Sequence, residues 1–470
     1  MPIVWVDEIA GLEPAINFLQ GRGYTSKLWP YAGVEEQFLA YLPLQGWLHI
    51  AAQKILWFSV YAVRLPYAIF LITGTLFIYS ALHKQGTTLI ISLAIIMLLL
   101  NEKSLFETTR GIRVEPISFL LLSITYWSFN ERKFHVSALS ISFALLLHPY
   151  LWPASLILFL GICKEQSNSK NFIKSFISPN TYWLYPIGAA FLFLVFIHFD
   201  VSLFLQQFGA QAERHATSGS ILERLTNHLY YRFWPYYSTQ VYIPLFIYAT
   251  FLWSTFRMAK RNATVFDYAL IFTHLAWLLA IGPMHRYNSV LVILSLFAIT
   301  PLLKQVQLSQ LKKRHLLAGI LVLGISCLDV STRQALATVQ RAERNPTDFL
   351  AWFDQHTPDG KCIVSGHEAT YYAAAHNDSL DFFLFNTLPY RYSFDQYDHL
   401  LIISETEIEN ANILGIYTIE NTSEWTEQLG SKTYNKLHMI EVEGIKHYTE
   451  MLEKMRIKNS ASVERNYKRD

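Results

Sequence analysis

The sequence predicts an α-helical polytopic membrane protein of about ten transmembrane helices, with interfacial helices in its outer loops and a small C-terminal α/β domain outside. Three observations carry this. Apolar residues fill 52% of the 470 positions and charged ones only 16%, well below the roughly one quarter charged of a soluble domain. Apolar runs with short polar interruptions recur from about residue 61 to 330. From 331 to 470 charges, turns and alternating apolar positions return, so the chain divides into a membrane domain, 1–330, and an accessory domain, 331–470.

Charge and cysteine content bound the partners. The net charge of +2 is too small for a nucleic-acid partner, and the cations fall in short loops rather than in one patch. Cys163, Cys327 and Cys362 put a single thiol in the C-terminal domain, so no disulfide framework can be built there. Met1 to Asp7 leads straight into a polar, amphipathic stretch without a signal-peptide pattern. One further helix is expected upstream of it.

The expected spans are 61–83, 87–101, 116–130, 136–148, 150–163, 181–199, 239–257, 267–283, 286–303 and 315–330. Several fall short of the ~20 residues that a perpendicular helix needs, which implies tilt, local thinning or re-entry around 136–163. Pro149 and Pro153 predict two short helices joined by a tight hairpin there, in place of one long kinked helix. Lys84, then Arg132 and Lys133, then Lys164, Lys170 and Lys174, then Arg257, Lys260 and Arg261, then Lys304, Lys312, Lys313 and Arg314 all fall on one side of this alternation. That side is cytoplasmic. Residues 1–60, Asn101 to Glu115, the turn after His148, the loop 200–238, Met284 to Asn288 and the tail then lie outside. In the tail, Lys361 to Ser365 and His399 to Ser404 read as buried strands and Pro346 to His356 as a helix.

Ionisable residues near membrane depth are costly, which makes them functional candidates, and here they gather at the outer ends. Asp7 and Glu8 open a segment whose Ile9, Leu12, Ala15, Ile16 and Leu19 form an apolar stripe at helical spacing, ended by Gly21 and Gly23. Two carboxylates there also simply suit a helix N-terminus. Pro43 starts a second amphipathic helix with Leu44, Trp47, Leu48 and Ala51. Arg64 follows at the outer edge of the first span, where a snorkelling anchor is the alternative.

The third cluster holds Arg110, Arg113 and Glu115, either an internal ion pair that orders the loop or a contact for a polar substrate. In the fourth, His285, Arg286 and Tyr287 place a cation against the positive-inside trend. A phosphate held at the outer interface explains that exception, since Arg captures phosphate oxygens in bidentate fashion and His adds a donor; interface anchoring is the plainer alternative. His148, between Leu147 and Pro149, reads as a satisfied turn or core residue rather than a ligand. The charges of the loop 200–238, Glu213, Arg214, Glu223 and Arg224 among them, read mostly as a solvated helix face. Glycine-rich phosphate loops, Cys or His metal spacings and nucleophile elbows do not occur.

Taken in order, these clusters resemble the GT-C superfamily of membrane glycosyltransferases, and within it the branch of protein O-mannosyltransferases and lipid A aminoarabinose transferases. Asp7 and Glu8, with Ala15 and Gly21, resemble the Asp-Glu motif of the first outer loop. Leu42, Pro43, Leu44 and Trp47 resemble its Pro-Pro-Leu and Trp segment, and Arg64, Leu65 and Pro66 its Arg-Leu-Pro. Arg113 with Glu115, His148 with Pro149, and Arg286 with Tyr287 complete the series, which covers about residues 5–330. Two departures stand out. The transmembrane helix that normally precedes the Asp-Glu motif is not in this sequence, and Ala40 and Tyr41 stand where the aminoarabinose branch has a Glu-Lys pair, with Glu35 and Glu36 close by.

The resemblance implies an inverting transfer of one sugar from a polyprenyl phosphate-linked donor to an acceptor glycan, lipid or protein, outside a plasma (inner) membrane. Asp7 would take the acceptor's proton, with Glu8 beside it. Arg286, His285 and Arg64 would bind the donor phosphate, and Arg113, Glu115 and Tyr287 the substrate; a divalent cation is compatible with this arrangement. The rival readings are a polytopic transporter or lipid-linked sugar flippase, which calls for midplane charges and broken helices in symmetric halves, and an assembly scaffold.

Overall fold

Each apolar run expected up to residue 303 forms a helix in the computed structural model, which describes residues 6–26, 28, 36–56, 60–110, 113–166, 181–215, 220–233, 240–280, 287–303, scattered positions within 321–335, and then 346–366, 380–384, 397–404, 412–418 and 436–443. The run expected at 315–330 lies mostly outside them. Two compact units result, Leu39–Thr332 on one hand and Met1–Phe38 with Arg333–Asp470 on the other.

The larger unit is helical throughout: α2 (Pro43–Leu56), α3 (Val60–Lys84), α4 (Leu89–Leu100), α5 (Lys103–Arg110), α6 (Val114–Asn130), α7 (Phe134–Leu145), α8 (Trp152–Gln166), α9 (Leu184–Phe196), α10 (Val201–His215), α11 (Ile221–Phe233), α12 (Tyr242–Ala259), α13 (Val265–Ala280) and α14 (Asn288–Leu303). Among the described residues, Val63–Lys84 is the one helix long and apolar enough to cross a membrane unaided, while α4, α7, α13 and α14 are apolar but shorter.

Large apolar side chains are exposed along several of these helices. Leu65, Ile69, Ile72 and Leu76, spaced by one helical turn, form an exposed stripe on α3, while Tyr67, Leu71, Ile78 and Leu82 face inward. Small polar residues share the interior with them. Between α6 and α7, Ser128 and Ser137 share a 2.7 Å hydrogen bond and Ser140 donates to the Leu121 carbonyl at 2.7 Å, the small-residue packing used where the hydrophobic effect cannot drive helices together. Gly74 lets α3 close on α6, since a Cβ there would meet Phe119 at 2.6 Å.

The hairpin forms as the prolines predict: α7 ends, Pro149–Leu151 makes a 3-10 turn, and α8 starts at Trp152. The loop 200–238 contains two helices, α10 and α11. Thr181–Phe196 and Val201–Ala210 meet at 91°, the corner resting on His198 and Phe199 at φ 50° and 61°, a backbone region that non-glycine residues seldom adopt. Asp200 caps the new helix by accepting from Leu203 N at 2.9 Å. Ile197 and Phe204 then pack on Leu39 and Leu42 ahead of α2. Ser220 and Glu223 form a capping box at the head of α11, whose hydrogen bonds hold the exposed Glu223 carboxyl below its ordinary range.

In the second unit, α1 (Val6–Leu19) carries the expected stripe, with Leu12, Ala15 and Ile16 buried. Glu13, also buried, accepts from Ser26 Oγ at 2.6 Å and from Leu28 N at 3.0 Å. Gly21 and Gly23 end it at φ 78° and 79°. The tail places α15 (Pro346–His356) beside a five-stranded sheet of β1 (Cys362–Gly366), β2 (Leu380–Leu384), β3 (His399–Ser404), β4 (Asn412–Thr418) and β5 (Lys436–Glu441), in the order β2-β1-β3-β5-β4. β1 pairs in parallel with β2 and β3, and β5 pairs antiparallel with β3 and β4. Cys362 is buried in this sheet, and burial together with Asp398 and Glu441 pushes its thiol up to about 11, so it is a packing residue rather than a nucleophile.

Candidate functional site at one end of the helical unit

α6 begins where Thr108 closes the preceding turn by accepting from Arg113 N at 3.2 Å. Arg113 is the extended N-cap residue and Glu115 lies in the first turn, where the unsatisfied amides of a helix start favour a carboxylate. The Arg113 guanidinium spans that carboxylate: Nε lies 3.3 Å from both oxygens and Nη2 lies 3.3 Å from Oε1. Glu115 has 0% side-chain exposure and Arg113 13%. Of the two alternatives open in the sequence, the ion pair exists, and only its cationic half reaches the surface.

One turn further on, Ser118 makes a short hydrogen bond with the Tyr150 hydroxyl. Tyr150 stacks on Tyr287, centroids 4.4 Å apart and planes 29° apart. Trp277 closes the cluster by donating from Nε1 to the Tyr150 carbonyl at 2.9 Å, its ring 5.8 Å from that of Tyr287. A continuous packed chain thus joins the Arg113–Glu115 pair to Tyr287, which immediately precedes α14 and follows directly on His285 and Arg286.

His148 is a turn residue, as its setting suggests: its Nδ1 accepts from Tyr150 N at 3.3 Å and its ring lies against Tyr150 and Tyr287. Arg64 is half-buried near the start of α3. Tyr67, one turn on, meets His49 of α2 through a 3.0 Å hydrogen bond between its hydroxyl and Nε2. Burial holds the His49 imidazole far below its ordinary value, at about 3. Asp7 and Glu8 form the first turn of α1 as backbone; their side chains, and His285 and Arg286 entirely, lie outside the described residues. Among the described residues no group of three or more His, Cys, Asp or Glu side chains comes together to hold a metal ion.

Tyr150, Ser118, Trp277 and the His49–Tyr67 pair are absent from the sequence reading. Tyr150 follows the His-Pro dipeptide of the hairpin and was within reach of it. Ser118 and Tyr150 are 32 positions apart, and no local pattern links them.

No protein-family model matches the chain, and no curated protein does. Among solved structures, ArnT from Cupriavidus metallidurans in the apo state is similar at a TM-score of 0.52 and 10% identity, over 93% of this chain and 94% of that one. The same protein bound to undecaprenyl phosphate gives a TM-score of 0.49 at 10% identity, over 94% of each chain. The resemblance to the aminoarabinose transferase branch read from the sequence therefore has a structural counterpart, and this chain has the fold of ArnT.

Proposed function

We propose that this protein is a membrane glycosyltransferase that moves one sugar from a polyprenyl phosphate-linked donor to an acceptor at the outer face of the membrane, with inversion. The observation that carries the reading is the Arg113–Glu115 pair, connected through Ser118 and Tyr150 to Tyr287 at the end of the bundle away from the Lys- and Arg-rich loops. The ArnT fold supports it, and ArnT itself has been crystallised with undecaprenyl phosphate, a lipid of the class released in such a reaction.

In the proposed step the acceptor oxygen forms a bond to C1 of the sugar while the bond from C1 to the phosphate oxygen breaks, and the electron pair leaves with the polyprenyl phosphate. Asp7 takes the acceptor's proton, and Glu8 orients the acceptor or a divalent cation. Arg286, His285 and Arg64 neutralise the departing phosphate. Because Glu115 is closed to solvent, a substrate meets the outer face of Arg113, and Glu115 acts by fixing that guanidinium. Tyr287 anchors the segment that carries His285 and Arg286.

Direct binding tests the reading. The purified chain in detergent is expected to bind a short-chain polyprenyl phosphate saturably, in competition with the sugar-linked donor. A folded preparation that binds neither lipid would overturn it.

A further inference from the structure

At the opposite end of the bundle, α6, α8 and α14 end and α13 begins around a cavity of about 750 Å³, within the usual range for a specific small-molecule site. The wall reaches from Lys164 back to Ile157 on α8 and from Thr264 to Phe272 on α13, about 10 Å of depth at the rise of an α-helix. Its floor is aliphatic and aromatic, with Ile157, Leu160 and Phe272. The only charged groups among its described lining residues are Lys164 and Glu165, both exposed at the rim.

Several neighbouring charges of this end have partners elsewhere. Lys84 pairs with Glu131 at 2.6 Å, Arg257 pairs with the buried Asp267 at 3.2 Å, and Lys133 lies over the Trp127 ring at 4.5 Å. Lys164 and Glu165 thus present one positive and one negative charge side by side at the mouth of an apolar slot. A second feature asks for a donor. Pro301 lies within α14 and has no N–H, so the carbonyl of Phe297, four residues back, lacks its helical donor; both residues line the cavity.

We propose that this cavity binds an aminophospholipid of the cytoplasmic leaflet, with a chain segment in the slot, the phosphate at Lys164 and the primary ammonium at Glu165 and the Phe297 carbonyl. The ammonium supplies N–H donors that a quaternary amine lacks, and an anionic head without an amine leaves Glu165 opposed. The leaflet follows from the sidedness proposed for the Lys- and Arg-rich loops, whereas the site itself is independent of the sugar-transfer reading.

The test is thermal unfolding of the purified, delipidated full chain in detergent, titrated with phosphatidylethanolamine, phosphatidylcholine or phosphatidylglycerol. Phosphatidylethanolamine is expected to raise the Tm saturably and to bind about tenfold more tightly than the other two, the worth of one charge-assisted hydrogen bond. Glu165→Gln should reduce its advantage over phosphatidylcholine, and Lys164→Ala should weaken binding of every phospholipid. Both substitutions are at exposed positions, so the variants fold. Equal shifts from all three lipids, no saturable shift from any, or an unchanged preference in Glu165→Gln would each overturn the proposal. Sugar-transfer activity plays no part in this readout, so a failure here leaves the proposed function standing.

Discussion

Arg113 and Glu115, two residues apart at the head of α6, form an ion pair in which the guanidinium spans both carboxylate oxygens at 3.3 Å while the carboxylate is sealed from solvent. The asymmetry of exposure sets an asymmetry of cost. Arg113→Ala takes the guanidinium from a buried carboxylate and is expected to destabilise by about 3 kcal/mol, whereas Glu115→Gln leaves a cation that still reaches water and costs about 1 kcal/mol. Thermal unfolding of the two variants checks this, and equal losses would contradict it.

The stack of Tyr150 on Tyr287 separates ring from hydroxyl. Tyr287→Phe keeps the ring between Tyr150 and Trp277 and is expected to lose less stability and less donor affinity than Tyr287→Ala. Tyr287→Ala removes a buried aromatic, at about 3–5 kcal/mol, and frees the segment preceding α14, so donor affinity should fall with it. Tyr150→Phe loses only its bond to Ser118, about 1 kcal/mol. Donor binding read beside unfolding separates these outcomes.

His49 predicts a pH dependence. Burial lowers its folded-state value from 6.5 to about 3, so below pH 6.5 the unfolded chain takes up a proton that the folded chain refuses. Stability is therefore complete above pH 6.5 and declines as the pH drops toward 3, by up to about 1.4 kcal/mol per unit. His49→Gln should flatten that slope in a Tm profile. A profile identical to that of the unmodified chain would show that the buried imidazole does not govern it.

Arg286 separates charge from geometry. Arg286→Ala should weaken donor binding more than Arg286→Lys, which keeps the cation and loses only the bidentate fork. Unchanged donor affinity in a folded Ala variant would assign Arg286 to anchoring at the interface.

The elements legible in the sequence were those set by periodicity and by proline. The apolar runs marked α3, α4, α6 to α9 and α12 to α14, Pro43 marked the start of α2, and Pro149 with Pro153 marked the hairpin before α8. The segments of α5, α10 and α11 were placed in outer loops because their amphipathic pattern is short and rich in charge, although the charges of 200–238 were read mostly as a solvated helix face. The turn role of His148 was legible from its neighbours. The aromatic cluster was not: Tyr150, Trp277 and Tyr287 lie on three separate elements and converge only after packing. For Arg113 and Glu115 the spacing showed that a pair was available, and burial, which no spacing encodes, decided that it forms.

The measurement that bears most directly on the proposed function is the release of polyprenyl phosphate from labelled lipid-linked sugars, followed together with labelled acceptor, by the purified chain and by Asp7→Asn. The expected result is one lipid phosphate released per sugar transferred, and a loss of about 10² to 10⁴-fold in Asp7→Asn with donor binding retained, because Asn is nearly isosteric but cannot accept the proton. Asn also remains a good N-cap, so the alternative of a mere helix-start charge predicts near-normal turnover. Transfer by Asp7→Asn within about threefold of the unmodified chain would remove Asp7 as the base, a far smaller change than general-base catalysis is worth. Folded, donor-binding protein that transfers no sugar from any of the labelled lipid-linked sugars would contradict the glycosyltransferase reading itself.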